Sequence, residues 1–257
     1  MKIWYVSDLH FDFITTSNRA TSKLLKRYFD EYEGEMLLIA GDISHYLKQI
    51  ETILNFFTEK FDHVLYVYGN HEFYNVSHRQ QKRYVQTFDK INALKNLNTR
   101  AILLDGDYVE IHGIKIGGGC GWHDKSYLKE MLGDTFTDKL YLSLWKTYMN
   151  DGYKIPQLSN PEYLTEIELT KLRSLSYVDI LCTHYVPSTI DRLFPLHRND
   201  RLNTFFCFDG TFIKYDISVH GHVHGNLEID LNDKRFYRNA IGYPNEKNPM
   251  LLKFFEV

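Results

Sequence analysis

The sequence is short of cysteine and has no large excess of charge of either sign. Among its 257 residues are three cysteines, Cys120, Cys182 and Cys207. An odd number of cysteines without paired short spacings is typical of reduced thiols and not of a disulfide framework. The net charge of −3 does not provide the strongly basic surface with which proteins wrap long nucleic acids, although a local basic groove is compatible with it.

Long apolar runs, repeats, low-complexity tracts and Pro/Gly/Ser-rich linkers are also missing. The first apolar run, residues 1–6, is too short for a signal peptide and leads directly into Ser7 and Asp8. No run has the length needed to span a membrane. We therefore expect a cytoplasmic protein without a membrane partner, folded as one domain over residues 1–257.

Short apolar runs alternate with helical patterns in the first third of the chain. Residues 2–6, 36–40 and 64–68 have the length of buried strands, and a stretch with helical periodicity follows each of them. This βαβαβ pattern predicts an α/β fold with a mainly parallel sheet. In such folds ligands bind beyond the carboxyl ends of the strands.

The second half of the chain has a less regular pattern. Turn residues at 112–113 and 232–233 predict hairpins that join residues 108–111 to 114–117 and residues 227–230 to 234–237. Residues 178–182 and 216–219 are predicted as two further buried strands. Residues 138–175 have a helical pattern that is broken near 150–161.

Residues of metal-ligand type follow five of the predicted strands. The clusters are Asp8-Leu9-His10, Gly41-Asp42, Gly69-Asn70-His71-Glu72, Thr183-His184 and Gly221-His222-Val223-His224. In an extended loop an i, i+2 spacing directs both side chains to one side, so that Asp8 with His10, or His222 with His224, can hold one ion. Seven or eight ligands are too many for a single ion. They predict two ions bridged by a carboxylate, an arrangement used for phosphate-ester hydrolysis.

The mixture of imidazole, carboxylate and amide ligands restricts the identity of these ions. An all-oxygen set would be expected for calcium or magnesium, whereas mixed nitrogen and oxygen ligands suit transition metals. We expect two divalent ions. Manganese is the first candidate, and iron, zinc, cobalt and nickel are the other metals that suit the set.

In this order the clusters resemble those of the calcineurin-like metallophosphoesterase superfamily over residues 8–224. The resemblance implies an α/β fold that is a layered β-sandwich flanked by helices, with the site at the carboxyl edge of the strands. It implies a first ion held by Asp8, His10 and His224, a second held by Asn70, His184 and His222, and Asp42 as the bridge. A water activated by both ions would then attack the phosphorus.

Three further histidines lie in or beside the matched clusters. His71 resembles the superfamily's outer-sphere histidine, which contacts the phosphate or protonates the leaving oxygen. His220 precedes the two matched histidines, and we expect it to be buried, hydrogen-bonded and structural. His45 stands where purple acid phosphatases have a metal-binding tyrosine, which argues against an iron–tyrosinate centre. Whether His45 belongs to the site stays open.

The substrate class is less determined than the chemistry. The cluster at Asp42 lacks the Asp-Arg-Gly extension of protein Ser/Thr phosphatases, and no arginine lies in or directly beside the matched clusters. Because an arginine clamp favours phosphomonoesters, we expect a phosphodiesterase acting on a nucleotide or a similar small molecule. The alternatives are a nuclease, a phosphomonoesterase and a non-catalytic protein-binding scaffold. Degenerate ligands would mark the scaffold, and here every ligand position is filled.

Residues 122–175 are expected to form a helical insertion or lid that sets substrate choice. Trp122-His123-Asp124 and Gly242-Tyr243-Pro244 resemble segments of uncharacterised bacterial and phage metallophosphoesterases, which have no settled substrate. Trp122, His123 and Asp124 are the candidate substrate contacts, and the glycines at 117–119 are expected to be a flexible run before them. Tyr141, Trp145 and Tyr148 share a helical face, which fits either packing or substrate contact.

Overall fold

Two β-sheets flanked by helices form the computed structural model, which describes residues 1–75, 87–155, 158–194 and 198–257. The first sheet contains β1 (Lys2–Val6), β2 (Gly34–Ala40), β3 (Phe61–Val67), β4 (Ile102–Leu103) and β11 (Lys253–Glu256). Its order is β11-β1-β2-β3-β4, with β1 to β4 parallel and β11 antiparallel to β1. The predicted parallel βαβαβ unit is therefore confirmed.

The second sheet contains both predicted hairpins and both predicted later strands. Its strands are β5 (Asp107–Ile111), β6 (Ile114–Gly119), β7 (Tyr177–Thr183), β8 (Lys214–His220), β9 (Gly225–Leu231) and β10 (Lys234–Ala240), in the order β5-β6-β7-β8-β10-β9. In both hairpin turns the two central residues have positive φ. The values are 52° at His112 and 80° at Gly113 in the β5–β6 turn, and 53° at Asn232 and 60° at Asp233 in the β9–β10 turn. Such turns match the right-handed twist of the strands they join.

Helices cover the outer faces of the sheets. In the first third these are α1 (Phe11–Ile14), α2 (Asn18–Phe29), α3 (Leu47–Thr58), α4 (Asn70–Phe73) and α5 (Thr87–Lys95). Between β6 and β7 lie α6 (Ser126–Leu132), α7 (Asp138–Tyr148), α8 (Asp151–Lys154) and α9 (Glu162–Leu172), and residues 156–157 of this segment lie outside the described residues. No helix in the described part of the chain is both long and apolar enough to cross a membrane.

The alternation of side chains along the strands divides the core into layers. Ile3, Tyr5 and Leu38 of the first sheet form one buried cluster with Ile180 and Val219 of the second, between the two sheets. The strand residues between them, such as Leu37 and Ile39, point to the opposite face of the sheet. They belong to a second buried cluster together with apolar side chains of the helices. This period of two produces the layered sandwich. The predicted fold class is confirmed.

The glycines at 117–119 are not the flexible run predicted before the helical segment. All three are buried in β6, where Gly118 pairs with Cys182 of β7. A Cβ added at Gly118 would lie 2.1 Å from the Cys182 carbonyl oxygen and 3.2 Å from Val67 of the other sheet. The prediction was wrong because glycine here permits close approach between strands and sheets and does not provide freedom.

Gly118→Ala should therefore destabilise the fold by about 1–3 kcal/mol, the usual cost of forcing a methyl group into a packed core. The control is Gly119→Ala, in which the nearest atom is a Leu172 side-chain carbon at 3.1 Å that can move. Urea unfolding of both variants measures the difference. Equal losses of unfolding free energy in the two variants would contradict this account.

Candidate metal centre

The carboxyl ends of five strands bring all seven predicted ligands to one edge of the sandwich. Asp8 and His10 follow β1, Asp42 follows β2, Asn70 begins α4 after β3, His184 follows β7, and His222 and His224 lie in the turn between β8 and β9. Asp8, Asp42 and His184 are wholly buried, with 1% or less of their surface exposed. The ligands therefore converge although they lie up to 216 positions apart in the sequence.

Backbone strain is concentrated at these ligands. Asp8, His10, Asp42 and His222 have φ values of 52°, 43°, 55° and 65°. They account for four of the nine non-glycine residues with positive φ in the described part of the chain. Such conformations persist where the surrounding structure over-determines them, and they gather at functional sites.

The first of the two predicted ligand sets consists of Asp8, His10 and His224. The Nε2 atoms of His10 and His224 face each other at 3.2 Å, and Nε2 of His224 lies 3.5 Å from Oδ1 of Asp8. These three side chains place one ligand atom each within 4.8 Å of the other two. Their spacing and chemistry suit a single ion with mixed nitrogen and oxygen ligands.

The second ligand set surrounds Nε2 of His184. This atom lies 3.0 Å from Oδ1 of Asn70, 3.1 Å from Nδ1 of His222 and 3.4 Å from Oδ1 of Asp42. The other carboxylate oxygen of Asp42, Oδ2, lies 3.7 Å from Nε2 of His10 in the first set. Asp42 thus divides its two oxygens between the sets, as a bridging carboxylate does.

The buried carboxylates at this edge require compensating positive charge. Burial opposes ionisation of Asp42, yet the attraction of His184, His71 and His10 holds its pKa well below the usual range. Burial alone would lower the pKa values of His184 and His224, but the neighbouring carboxylates raise both to about 9. Protons on these two rings therefore compensate the buried carboxylates. Divalent ions fit the same requirement.

Backbone carbonyls orient two of the ligand imidazoles. Nδ1 of His184 donates a hydrogen bond to the Ala40 carbonyl at 2.8 Å, and Nε2 of His222 donates to the Phe205 carbonyl at 3.2 Å. In each ring the other nitrogen then faces the second ligand set. Such outer partners fix ring orientation in metal sites. The sequence has no signal for them because any residue provides a carbonyl.

Carboxylates orient one ligand in each set. Nδ1 of His224 donates to Glu246 at 2.7 Å, and the side-chain amide of Asn70 donates to Oδ1 of Asp151 at 2.8 Å. Neither Glu246 nor Asp151 was a candidate from the sequence. Glu246 lies 22 residues from its partner and Asp151 lies 81 residues away, so no local spacing reveals either.

His71 presents one ring nitrogen to the cavity and holds the other inside the protein. Its Nδ1 shares a hydrogen bond of 2.8 Å with Nε2 of His45, whose Nδ1 lies 3.1 Å from Oδ2 of Asp12. Its Nε2 lies 3.3 Å from the Tyr243 hydroxyl. The structure therefore places His45 beside the site, behind His71, and adds Asp12 and Tyr243 to the residues around it.

A cavity of about 590 Å³ opens over the ligands. Asp42, Asn70, His71, His222 and His224 line one part of it. Tyr148, Met149, Leu202, Phe206 and Tyr243 line other parts, together with the carboxylates of Asp151 and Glu246. This volume is in the range of about 300–1,000 Å³ typical of sites for small ligands.

The three predicted substrate contacts lie away from this cavity. Trp122 and His123 have no exposed surface and pack against core rings such as Trp145 and Tyr185. Asp124 accepts hydrogen bonds from the backbone of Ser126 and Asp209 and lines a separate groove. Their role in substrate binding stays a prediction, which this placement does not favour.

The neighbouring aromatic residues and His220 have distinct surroundings. Tyr141 and Trp145 are buried, as packing requires, whereas Tyr148 on the same helix is 60% exposed and lines the cavity. His220 is wholly buried, and its Nδ1 lies 3.2 Å from the Ser218 hydroxyl. It therefore has the buried, hydrogen-bonded environment predicted for it.

Comparisons with known proteins agree with this geometry. An uncharacterized protein of Acanthamoeba polyphaga mimivirus is 26% identical over 263 residues, which cover 95% of this chain and 92% of that protein. The crystal structure of phosphopantetheinyl hydrolase from Mycobacterium tuberculosis is similar with a TM-score of 0.76 and 17% identity, over 99% of this chain and 95% of that one. This second likeness shows a shared fold.

Residues 1–226 match the protein family described as calcineurin-like phosphoesterase. The matched range contains all seven predicted ligands and His71. The chain therefore belongs to the calcineurin-like phosphoesterase family and is a metal-dependent phosphoesterase.

Proposed function

We propose that this protein hydrolyses a phosphodiester on a nucleotide or a similarly small molecule, with two divalent ions at the strand edge. The division of Asp42 between the two ligand sets supports the proposal most directly. Asp8, His10 and His224 would hold the first ion, and Asn70, His184 and His222 the second. This mixture of imidazole, carboxylate and amide ligands suits divalent transition metals, of which manganese is our first candidate and iron, zinc, cobalt and nickel are the alternatives.

The two ions, when bound, supply positive charge for the phosphate oxygens and a nucleophilic water at neutral pH. The residues of the chain hold and orient the substrate around them. Nε2 of His71 faces the cavity and is suited to contact the leaving oxygen. Burial lowers the pKa of His71 well below its ordinary value. A neutral ring can donate a hydrogen bond from Nε2, and a bound phosphate anion favours its protonation.

The cavity wall supports a small substrate. Tyr148, Met149 and Asp151 lie within the predicted lid at 122–175, so we propose that this segment shapes the cavity through the end of α7 and the start of α8. Leu202 and Phe206 extend the apolar part of the wall. The partly exposed carboxylate of Glu246 would repel additional phosphates, which favours a substrate with one phosphate over a nucleic acid.

Metal removal tests the proposed function. Chelated protein should lose hydrolysis of bis-p-nitrophenyl phosphate, and manganese should restore it at two ions per chain. Asp42→Asn should remove more metal than His10→Ala or His184→Ala, because a bridging carboxylate serves both ions and each histidine serves one. Elemental analysis and turnover are measured on the same samples. Full activity of metal-free protein, or two tightly bound ions in Asp42→Asn, would overturn the assignment.

A second test concerns His71 and the leaving group. His71→Asn should retain both ions and lose about 10²–10⁴ in rate, with smaller losses for esters that have very acidic leaving groups. Rates are compared over a series of aryl and alkyl diesters. Equal losses along the series would exclude contact with the leaving oxygen. Loss of an ion would make His71 a ligand, which its spacing from His10 and Asp42 allows.

A third test concerns Tyr148 in the wall of the cavity. Tyr148→Ala should raise KM for thymidine 5′-(p-nitrophenyl phosphate) by about 2- to 12-fold, the equivalent of one aromatic contact of about 0.5–1.5 kcal/mol. Methyl p-nitrophenyl phosphate, which has no second aromatic group, should be affected less. Tyr163→Ala is the control, because Tyr163 is 58% exposed on α9 and does not line the cavity. If both variants behave alike on both esters, Tyr148 is not a substrate contact.

A further inference from the structure

The side chain of Asn70 has to present its carbonyl oxygen to the second ligand set. Its Oδ1 lies 3.0 Å from Nε2 of His184, and its Nδ2 lies 2.8 Å from Oδ1 of Asp151. The two ends of an amide are alike in shape, so the hydrogen-bond partners decide which end faces the site. An ionised carboxylate only accepts hydrogen bonds. Asp151 therefore selects the NH₂ group and leaves the oxygen for the ion.

The burial of Asp151 makes its hydrogen bond with Asn70 specific for the NH₂ end of the amide. Its side chain is 1% exposed, and its Oδ1 also accepts a hydrogen bond of 2.6 Å from the Tyr74 hydroxyl. Within the described residues its Oδ2 has no hydrogen-bond partner. Burying a carboxylate that uses only one oxygen for hydrogen bonds costs more free energy than burying an amide of the same shape. An amide, however, would accept either end of Asn70 and would not select its orientation.

We propose that Asp151 is a positioning residue for the second ion, acting through Asn70. This inference rests on the proposed two-ion site. Glu246 provides the internal comparison, because it contacts His224 of the first set at 2.7 Å and has no part in the second set. Each proposed ion thus has one carboxylate behind one of its ligands, Asp151 at the start of α8 and Glu246 in the segment between β10 and β11.

The position of Asp151 couples the cavity wall to the second ion. Asp151 is the first residue of α8 and follows Tyr148, Met149 and Asn150, which line the cavity. A shift of this wall would withdraw the carboxylate from Asn70. By linkage, the second ion and a substrate that packs on the wall stabilise the same arrangement.

Manganese titration of the metal-free full chain tests the inference without reference to activity. Asp151→Asn should weaken binding of one of the two Mn²⁺ ions by about 10–100-fold, the usual effect of losing an outer partner of a ligand. The effect should disappear, within about twofold, when Asn70 is already alanine, and it should persist when His224 is alanine. Glu246→Gln should also weaken binding of one ion. Its effect should disappear when His224 is already alanine and persist when Asn70 is alanine.

Each outcome is decisive for one of the two proposals. If the wild type binds fewer than two Mn²⁺ ions, the proposed two-ion function is wrong. If it binds two and Asp151→Asn binds both normally, or loses affinity equally in the Asn70→Ala background, the positioning role is wrong. Thermal melting of the metal-free variants checks folding. If Asp151→Asn does not fold, Asp151→Ser is titrated in the same two backgrounds, and unchanged binding of both ions would overturn the inference.

Discussion

The geometry of the candidate metal centre depends on the buried carboxylate of Glu72, which is not among the predicted ligands. Glu72 accepts hydrogen bonds from the backbone N–H groups of Gly69, Asp42, Ile43 and Ser44, at 2.7 to 3.3 Å. It thereby joins the loop after β2 to the loop after β3 and holds Asp42 in its left-handed conformation. The backbone N–H of His71 then donates to Oδ1 of Asp42 at 2.9 Å. Without Glu72, Asp42 and His71 would lose this common support.

A second constraint is the charge buried at the strand edge. Although burial opposes it, the attraction of neighbouring imidazoles lowers the pKa values of Asp8 and Asp42, and the neighbouring carboxylates raise the pKa values of His184 and His224. Divalent ions at the proposed sites would supply positive charge at the same atoms. Their binding would then also stabilise the surrounding loops.

The features predicted from the sequence depend on local patterns or on the order of short clusters along the chain. Strand periodicity and turn residues indicated the first parallel strands and both hairpins, and the order of the clusters indicated the ligands. The partners Glu246 and Asp151 could not be found in this way, because their distance from the ligands in sequence is large and set by the fold. The prediction for Trp122 drew on its capacity to stack on a base, whereas in the structure it is buried among core aromatic rings.

The loops around the centre have two tasks that cannot vary independently. The strand ends supply ligands of a general kind, whereas the segment from Tyr148 to Asp151 and the loop containing Tyr243 and Glu246 line the cavity. The same two segments also carry the carboxylates that orient Asn70 and His224. A change in these segments that admits another substrate would therefore also move a partner of a predicted metal ligand. At the proposed two-ion site, substrate choice would be tied to how firmly each ion is held, even with unchanged ligands.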